Sequence, residues 1–243
     1  MGKKFWNKSD PTTKVKICGI MESADARKAV MCGADAIGLH VWKSTIFDLT
    51  KNRFRDYREI SLSLPENVSL WLVTDCTEPD DLRRILRDVT FDTIQIQGNV
   101  KQGLLDDIRI VLEADRRSGE VIRIVKSLGL SNHTIKANLE IAKVYEESAD
   151  ALLLDSSWRG GTGKVINDWK DANEIVRNVR VPVILAGGLN CENVSRAIAS
   201  VCPYGVDVQS GVEKPKYIAT KPRRKDYERM NQFIRNAKST SNL

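Results

Sequence analysis

Ala151-Leu152-Leu153-Leu154-Asp155-Ser156-Ser157-Trp158-Arg159-Gly160-Gly161-Thr162-Gly163-Lys164 joins an apolar run to a carboxylate and then to a glycine-rich loop. The apolar run is too short for a helix and reads as a buried strand. It ends on Asp155, and a carboxylate at the end of a buried strand is expensive to desolvate without a partner or a task. Gly160, Gly161, Thr162 and Gly163 follow as a loop able to close like a lid over whatever Asp155 touches.

Working outward, the same strand-then-helix unit recurs on both sides of this stretch. Before it, strands are expected at 15–18, 36–41, 69–73, 93–96 and 121–125, with helices over 22–32, 53–64, 79–87, 104–114 and 134–147. Gly33 is placed to end the first helix, Pro65 to stop the second, and Ser131 or Asn132 to cap the fifth. After it, a helix over 171–177 is followed by a strand at 183–186, a helix capped by Asn190 and running to Ala199, a strand at 205–208 and an amphipathic helix over 226–237. Eight such units with no long linker predict parallel pairing through right-handed crossovers. In a chain of 243 residues they fit a closed (β/α)8 barrel, an α/β single domain, better than an open doubly wound sheet. The barrel is expected over 15–238, with a flexible polar extension at 1–14 and a tail at 239–243.

Composition excludes several classes. With 42% hydrophobic and 29% charged residues the chain is ordinary globular material. No apolar run approaches the roughly 18 residues a membrane span needs, and the N-terminus lacks the apolar core of a secretory signal. Five cysteines at no C-x-x-C spacing suggest neither a disulfide framework nor a zinc site, so a reducing, cytoplasmic setting is expected. The net charge of +6 is concentrated in Lys214, Lys216, Lys221, Arg223, Arg224 and Lys225, which reads as a solvated loop or as attraction for an anionic substrate or partner. Nucleic acid is disfavoured, since only Tyr217 and Tyr227 accompany the basic residues.

Barrels of this kind work at the C-terminal ends of their strands, which here carry Cys18, Gln97, Asp155, Gly187-Gly188 and Gln209-Ser210-Gly211. The loops after the seventh and eighth strands, with Gly187, Gly188, Asn190, Asp207, Ser210 and Gly211, are the expected phosphate cradle, because bare backbone N–H groups at helix starts bind anions. Gly160 to Lys164 does not match a Walker A loop, since the first glycine is too close and Val165 stands where Ser or Thr is required. Cys18 and Asp155 on opposite sides of the mouth supply a thiol and a carboxyl for base and acid roles, if their surroundings tune them. His40, within a strand, and His133, at a helix start, are expected to be structural; with no metal constellation and no Rossmann fingerprint, cofactor-free proton transfer on a small sugar phosphate is the simplest chemistry.

Taken together, Val15-Lys16-Ile17-Cys18-Gly19-Ile20, Gly33-Ala34-Asp35-Ala36-Ile37-Gly38, Leu153-Leu154-Asp155-Ser156, Gly160 to Lys164 with Asp168-Trp169, Ala186-Gly187-Gly188-Leu189-Asn190 with Asn193-Val194, and Val206-Asp207-Val208 with Ser210-Gly211-Val212-Glu213 resemble the phosphoribosylanthranilate isomerases of tryptophan biosynthesis. The resemblance implies an Amadori rearrangement without cofactor. The residue matching Asp155 is then the general acid that opens the ring to a Schiff base, and the residue matching Cys18 the general base at C2. It implies tryptophan-pathway enzymes as candidate partners and a monomer or homodimer. The departures fall at the aglycone end. Where the family carries an arginine after strand two, this chain reads Trp42-Lys43-Ser44-Thr45-Ile46-Phe47-Asp48, leaving Lys43 or Arg53 as candidate aglycone contacts together with Gln97, which replaces a histidine. Two alternatives follow: an Amadori isomerase for another phosphoribosylamine, or an idle barrel that binds a phosphorylated metabolite or serves as a docking module.

Overall fold

The computed structural model describes residues 4–46, 51–101, 103–114, 121–130, 134–155, 169–214 and 224–240. Eight parallel strands close into a barrel in sequence order, with β8 pairing back to β1. The strands are β1 (Lys14–Cys18), β2 (Ala36–Val41), β3 (Ser69–Thr74), β4 (Thr93–Ile96), β5 (Arg123–Gly129), β6 (Ala151–Asp155), β7 (Val183–Leu185) and β8 (Gly205–Val208). The helices behind them are α1 (Ser23–Met31), α2 (Lys51–Ser63), α3 (Pro79–Asp88), α4 (Leu104–Ala114), α5 (Ile135–Tyr145), α6 (Lys170–Asn178), α7 (Val194–Val201) and α8 (Tyr227–Ser239). Among the described residues, no helix is long and apolar enough to cross a membrane.

Strand parity decides which residues reach the barrel interior, because side chains alternate across the sheet. On β6, Leu152 and Leu154 join the layer beneath the helices, while Ala151 and Leu153 join the inner cluster. Asp155 shares the parity of the inner set and so tops the interior at the C-terminal end. The same rule sends Lys14, Lys16 and Cys18 inward on β1, where Val15 and Ile17 pack outward.

Four local expectations are corrected. The N-terminal segment, expected to be a flexible extension, is docked from Lys4 onward: a 3-10 turn at Lys4–Trp6 places Phe5 fully buried inside the barrel floor. Its ring meets Trp6, Trp71 and Tyr204 at 4.9–5.9 Å in edge-to-face contacts, and Trp6 donates from Nε1 to Thr93 Oγ1 at 3.0 Å. β5 starts two residues later than its β-branched run suggests and continues through Lys126-Ser127, since a barrel strand tolerates polar residues where they find partners. Lys126 does so by donating to Gly98 O at 2.8 Å. α5 is capped by Thr134, whose Oγ1 accepts from Ala137 N, and not by Ser131 or Asn132, which lie outside the described residues with His133. Asn190 does not cap α7: its Oδ1 accepts from Glu192 N and Asn193 N, bending the chain one turn earlier, and Asn193 holds the N-cap position.

Candidate active site

At the C-terminal mouth, one cavity of about 240 Å³ is lined by Cys18, Asp155, Gln97, Gly187, Gly188, Asp207 and Ser210 among others. These seven expected site residues therefore meet in one place, delivered by β1, β4, β6, β7 and β8. Gly187 and Gly188 have φ of +92° and +64°, a left-handed path that glycine follows without a Cβ penalty. It turns the chain from β7 toward α7. Ser210–Val212 forms a 3-10 turn after β8, and Gly211 packs so closely on the β7 loop that an added Cβ would overlap the Leu189 carbonyl oxygen. The two loops expected to cradle phosphate are thus in direct contact.

Other expected site residues are placed differently. Lys43 is exposed, with its N–H on Asp75 Oδ1 at 2.6 Å and its ammonium 3.9 Å from Glu78, and it does not line the cavity. Arg53 stands in the first turn of α2, and its side chain lies outside the described residues. The lid expected at Gly160, Gly161, Thr162 and Gly163 also lies outside them, as do Trp158, Lys164 and Asp168. Asn190 is engaged in its turn and does not line the cavity. Asp207 does line it, and it is ion-paired there. Its carboxylate sits 3.0 Å from Lys16 Nζ, and β1–β8 register sets the two residues side by side.

Sequence reading missed three further members. Lys16 is fully buried below the mouth, bonded to Asp207 and to Gln95 Oε1 at 3.1 Å, with its Nζ 5.0 Å from the Trp71 ring centroid. Burial disfavours its charge, but Asp207 and Cys18 more than offset this and its pKa is raised. Lys225 ends the basic run expected to be solvated, yet it is 2% exposed: its Nζ donates to Gln209 O at 2.9 Å and lies 3.6 Å from Glu213. Residues 215–223 of that run lie outside the described residues. His40, expected to be structural, lines the cavity with its Nε2 3.2 Å from Cys18 Sγ and its ring 5.2 Å from that of Trp42. Parity carried the signal, since His40 shares a face with Ala36 and Gly38 and lies nearer the mouth than either.

Gly38 is what makes room for this cluster. A Cβ there would stand 3.0 Å from Cys18 Sγ and from Lys16 Cε. We expect Gly38→Ala to lower kcat/KM by about 10- to 10²-fold through misplacement of the thiol. Steady-state kinetics beside a melting curve tests this, and wild-type kcat/KM in a folded variant would refute it.

A second cavity, of about 340 Å³, lies between β5 and α5, lined by Lys126, Leu128, Ile141 and Tyr145, with Gln97 shared between the two. Although larger, it holds neither Cys18 nor Asp155, so chemistry and not size selects the mouth. Among the described residues no group of three or more His, Cys, Asp or Glu could hold a metal.

The family model for N-(5'-phosphoribosyl)anthranilate isomerase matches residues 15–235, nearly the whole barrel. The chain belongs to the phosphoribosylanthranilate isomerase family. A relative of that name from Methanocella arvoryzae is 34% identical over 230 residues, covering 94% of this chain and 99% of its own. Another from Acidithiobacillus ferrooxidans is 32% identical over 234 residues, covering 95% and 100%. Among solved structures, the phosphoribosyl anthranilate isomerase of Thermotoga maritima superposes with a TM-score of 0.73 at 33% identity, over 93% of this chain and 99% of that one. A further phosphoribosyl anthranilate isomerase structure, described as a complex with a reduced 1-(o-carboxyphenylamino)-1-deoxyribulose 5-phosphate, matches with a TM-score of 0.71 at 31% identity. The chain is accordingly an isomerase of the family that serves tryptophan biosynthesis.

Proposed function

We propose that the mouth cavity carries out the Amadori rearrangement with Asp155 as general acid and Cys18 as general base. The observation that carries this is the convergence of both side chains with the two glycine loops on one cavity. Asp155 protonates the ring oxygen, and the furanose opens to a Schiff base between C1 and the anthranilate nitrogen. Cys18 removes the C2 proton, and the electron pair of that C–H bond forms the enolamine, which tautomerises to the ketone. Gly187, Gly188 and Ser210 offer the phosphate a bare backbone rim, and buried Lys16 and Lys225 bias the mouth toward an anionic substrate.

The anthranilate carboxylate falls to the strand-two side, where Trp42 and Gln97 line the cavity. Lys43 is turned to Asp75 and Glu78, which leaves Arg53, in the first turn of α2 after β2, as the proposed carboxylate partner. A charge-assisted hydrogen bond of about 1.5–3 kcal/mol corresponds to about 10- to 10²-fold in binding. Arg53→Ala is expected to raise KM for phosphoribosylanthranilate by that factor with kcat little changed, and Lys43→Ala to leave KM near wild type. The opposite pattern would transfer the role to Lys43. If neither variant changes KM, while a phosphoribosylamine lacking the carboxylate is turned over equally well, anthranilate recognition is not the selective element.

A further inference from the structure

The thiol assigned to proton abstraction is in a poor environment for becoming a thiolate. Cys18 is 3% exposed, and burial followed by the nearby Asp207 carboxylate pushes its pKa up to about 11, against the opposing charges of Lys16 and Lys225. A base that first had to lose its proton to water would be a minor species at neutral pH. The residue beside it is one that a barrel wall does not otherwise require: His40 Nε2 lies 3.2 Å from Cys18 Sγ, and both groups line the same cavity. Burial, then the positive charges of Lys16 and Lys225, pull the imidazole pKa down to about 3, so His40 is neutral and has a nitrogen lone pair to offer. The resting pair is therefore a thiol facing a neutral imidazole.

We propose that His40 acts behind Cys18 as a proton relay, receiving the thiol proton as the sulfur takes the proton from C2. The inference rests on the assignment of Cys18 as the base. In the step, the C2–H bond breaks and its electron pair becomes the C1–C2 double bond of the enolamine, while the π pair of the C1=N bond returns to the iminium nitrogen and the C1–N single bond stays. A new S–H bond forms from the sulfur lone pair, the old S–H bond breaks, and its proton joins Nε2. The substrate loses one positive charge and His40 gains one, so the cavity carries the same total charge before and after. No free thiolate is formed. The substrate's phosphate and carboxylate offset Lys16 and Lys225 while the imidazolium exists.

Among the described residues, the charged and titratable groups around the pair are Lys16 from β1, Asp155 from β6, Asp207 from β8, and Lys225 with Glu213 from the segments flanking the β8 loop. Trp42 covers the imidazole from beyond β2 without adding a charge. A thiolate base makes the rate of proton abstraction climb tenfold per pH unit toward about 11, whereas the relay makes that rate independent of thiol ionisation. Asp155 protonates the ring before this step, so single-turnover reactions begun from C2-deuterated substrate isolate the abstraction through its isotope effect.

The test compares wild type, His40→Gln and Cys18→Ala between pH 6 and 9 in that assay. We expect the wild-type isotope-sensitive rate to be flat, and His40→Gln to lose about 10²-fold in kcat and acquire a rise of tenfold per pH unit, with KM little changed. Glutamine can accept the thiol hydrogen bond but cannot carry the proton, so a purely structural role would be rescued by it. Added imidazole is expected to restore rate to His40→Ala and not to Cys18→Ala. A wild-type rate that climbs with pH, or a His40→Gln variant with wild-type kcat and pH profile, overturns the relay, and the former needs no variant to fold. If Cys18→Ala stays active, the base assignment itself has failed; if it is inactive while His40→Gln is normal, only the relay has.

Discussion

Asp155→Asn and Cys18→Ser are each expected to lower kcat/KM by about 10²- to 10⁴-fold, the range for removal of a positioned acid or base from a proton-transfer step. The two losses have different origins. Asparagine keeps the shape and a hydrogen bond at the end of β6 but has no proton for the ring oxygen, so the furanose stays closed. Serine keeps the volume at the end of β1, but a hydroxyl is a far weaker acid than a thiol and gives up its own proton far less readily as it takes the one from C2. Both side chains are buried at strand ends, 7% and 3% exposed, and both replacements are close in size, so the barrel remains intact. Circular dichroism and the melting temperature establish this, and turnover of synthetic phosphoribosylanthranilate gives the rates. A folded Asp155→Asn or Cys18→Ser enzyme within threefold of wild type would remove that residue from the mechanism.

Gly211→Ala is expected to disable substrate capture. The backbone at Gly211 is not left-handed, so the constraint is space alone. A methyl group would overlap the Leu189 carbonyl oxygen and stand 3.0 Å from Asn190 Cα, and these are backbone atoms that cannot rotate away. The β7 and β8 loops must separate, and the rim they form around a phosphate opens with them. Overpacking of this kind costs about 1–3 kcal/mol in stability, and loss of two backbone contacts to a charged phosphate costs about 1.5–3 kcal/mol each. The expected result is a folded protein with a reduced melting temperature and a KM raised by 10²-fold or more, whereas its affinity for inorganic phosphate falls in parallel. Gly188→Ala strains the backbone instead, because φ is +64° there, at about 1–2 kcal/mol. Unchanged KM in Gly211→Ala would show that the phosphate is held elsewhere.

The barrel was legible because its strands are short apolar runs ended by turn residues. Ala151–Asp155 and Thr93–Ile96 could be read to the residue, as could the helix Leu104–Ala114. β5 was read short because Lys126-Ser127 interrupts its apolar character, and only the fold supplies the Gly98 carbonyl that satisfies the lysine. Phe5 and Trp6 escaped notice because two aromatics in a polar segment have no period to read; their partners, Trp71, Thr93 and Tyr204, are far away in sequence. Within the site, Cys18, Asp155, Gln97 and the glycine loops stood out as strand ends. Asp207 was counted with the phosphate loops, and its ion pair with Lys16 could not be read, because only the pairing of β1 with β8 sets the two side by side. Charge density marked Lys225 as solvent-facing, but an isolated bridge with Glu213 folds it inward. For His40 the needed information was a rule already in use: the residue two beyond Gly38 faces the mouth, next to whatever β1 ends on.

The aromatic floor bears on the order in which the molecule assembles. Phe5 precedes β1, yet its carbonyl oxygen accepts from the Tyr204 hydroxyl, 199 positions later, and Trp6 is bonded to Thr93, 87 positions later. Loop closure over such separations is slow, and non-local contacts form late. The plug therefore waits for its socket until Tyr204 has been made, and β1 waits with it for β8. Until then the inner faces of the half-barrel, with Trp71, Val125, Leu153 and Ile184, have no lid beneath them. Translation of the last strand is thus the event that turns an open, adhesive sheet into a sealed one.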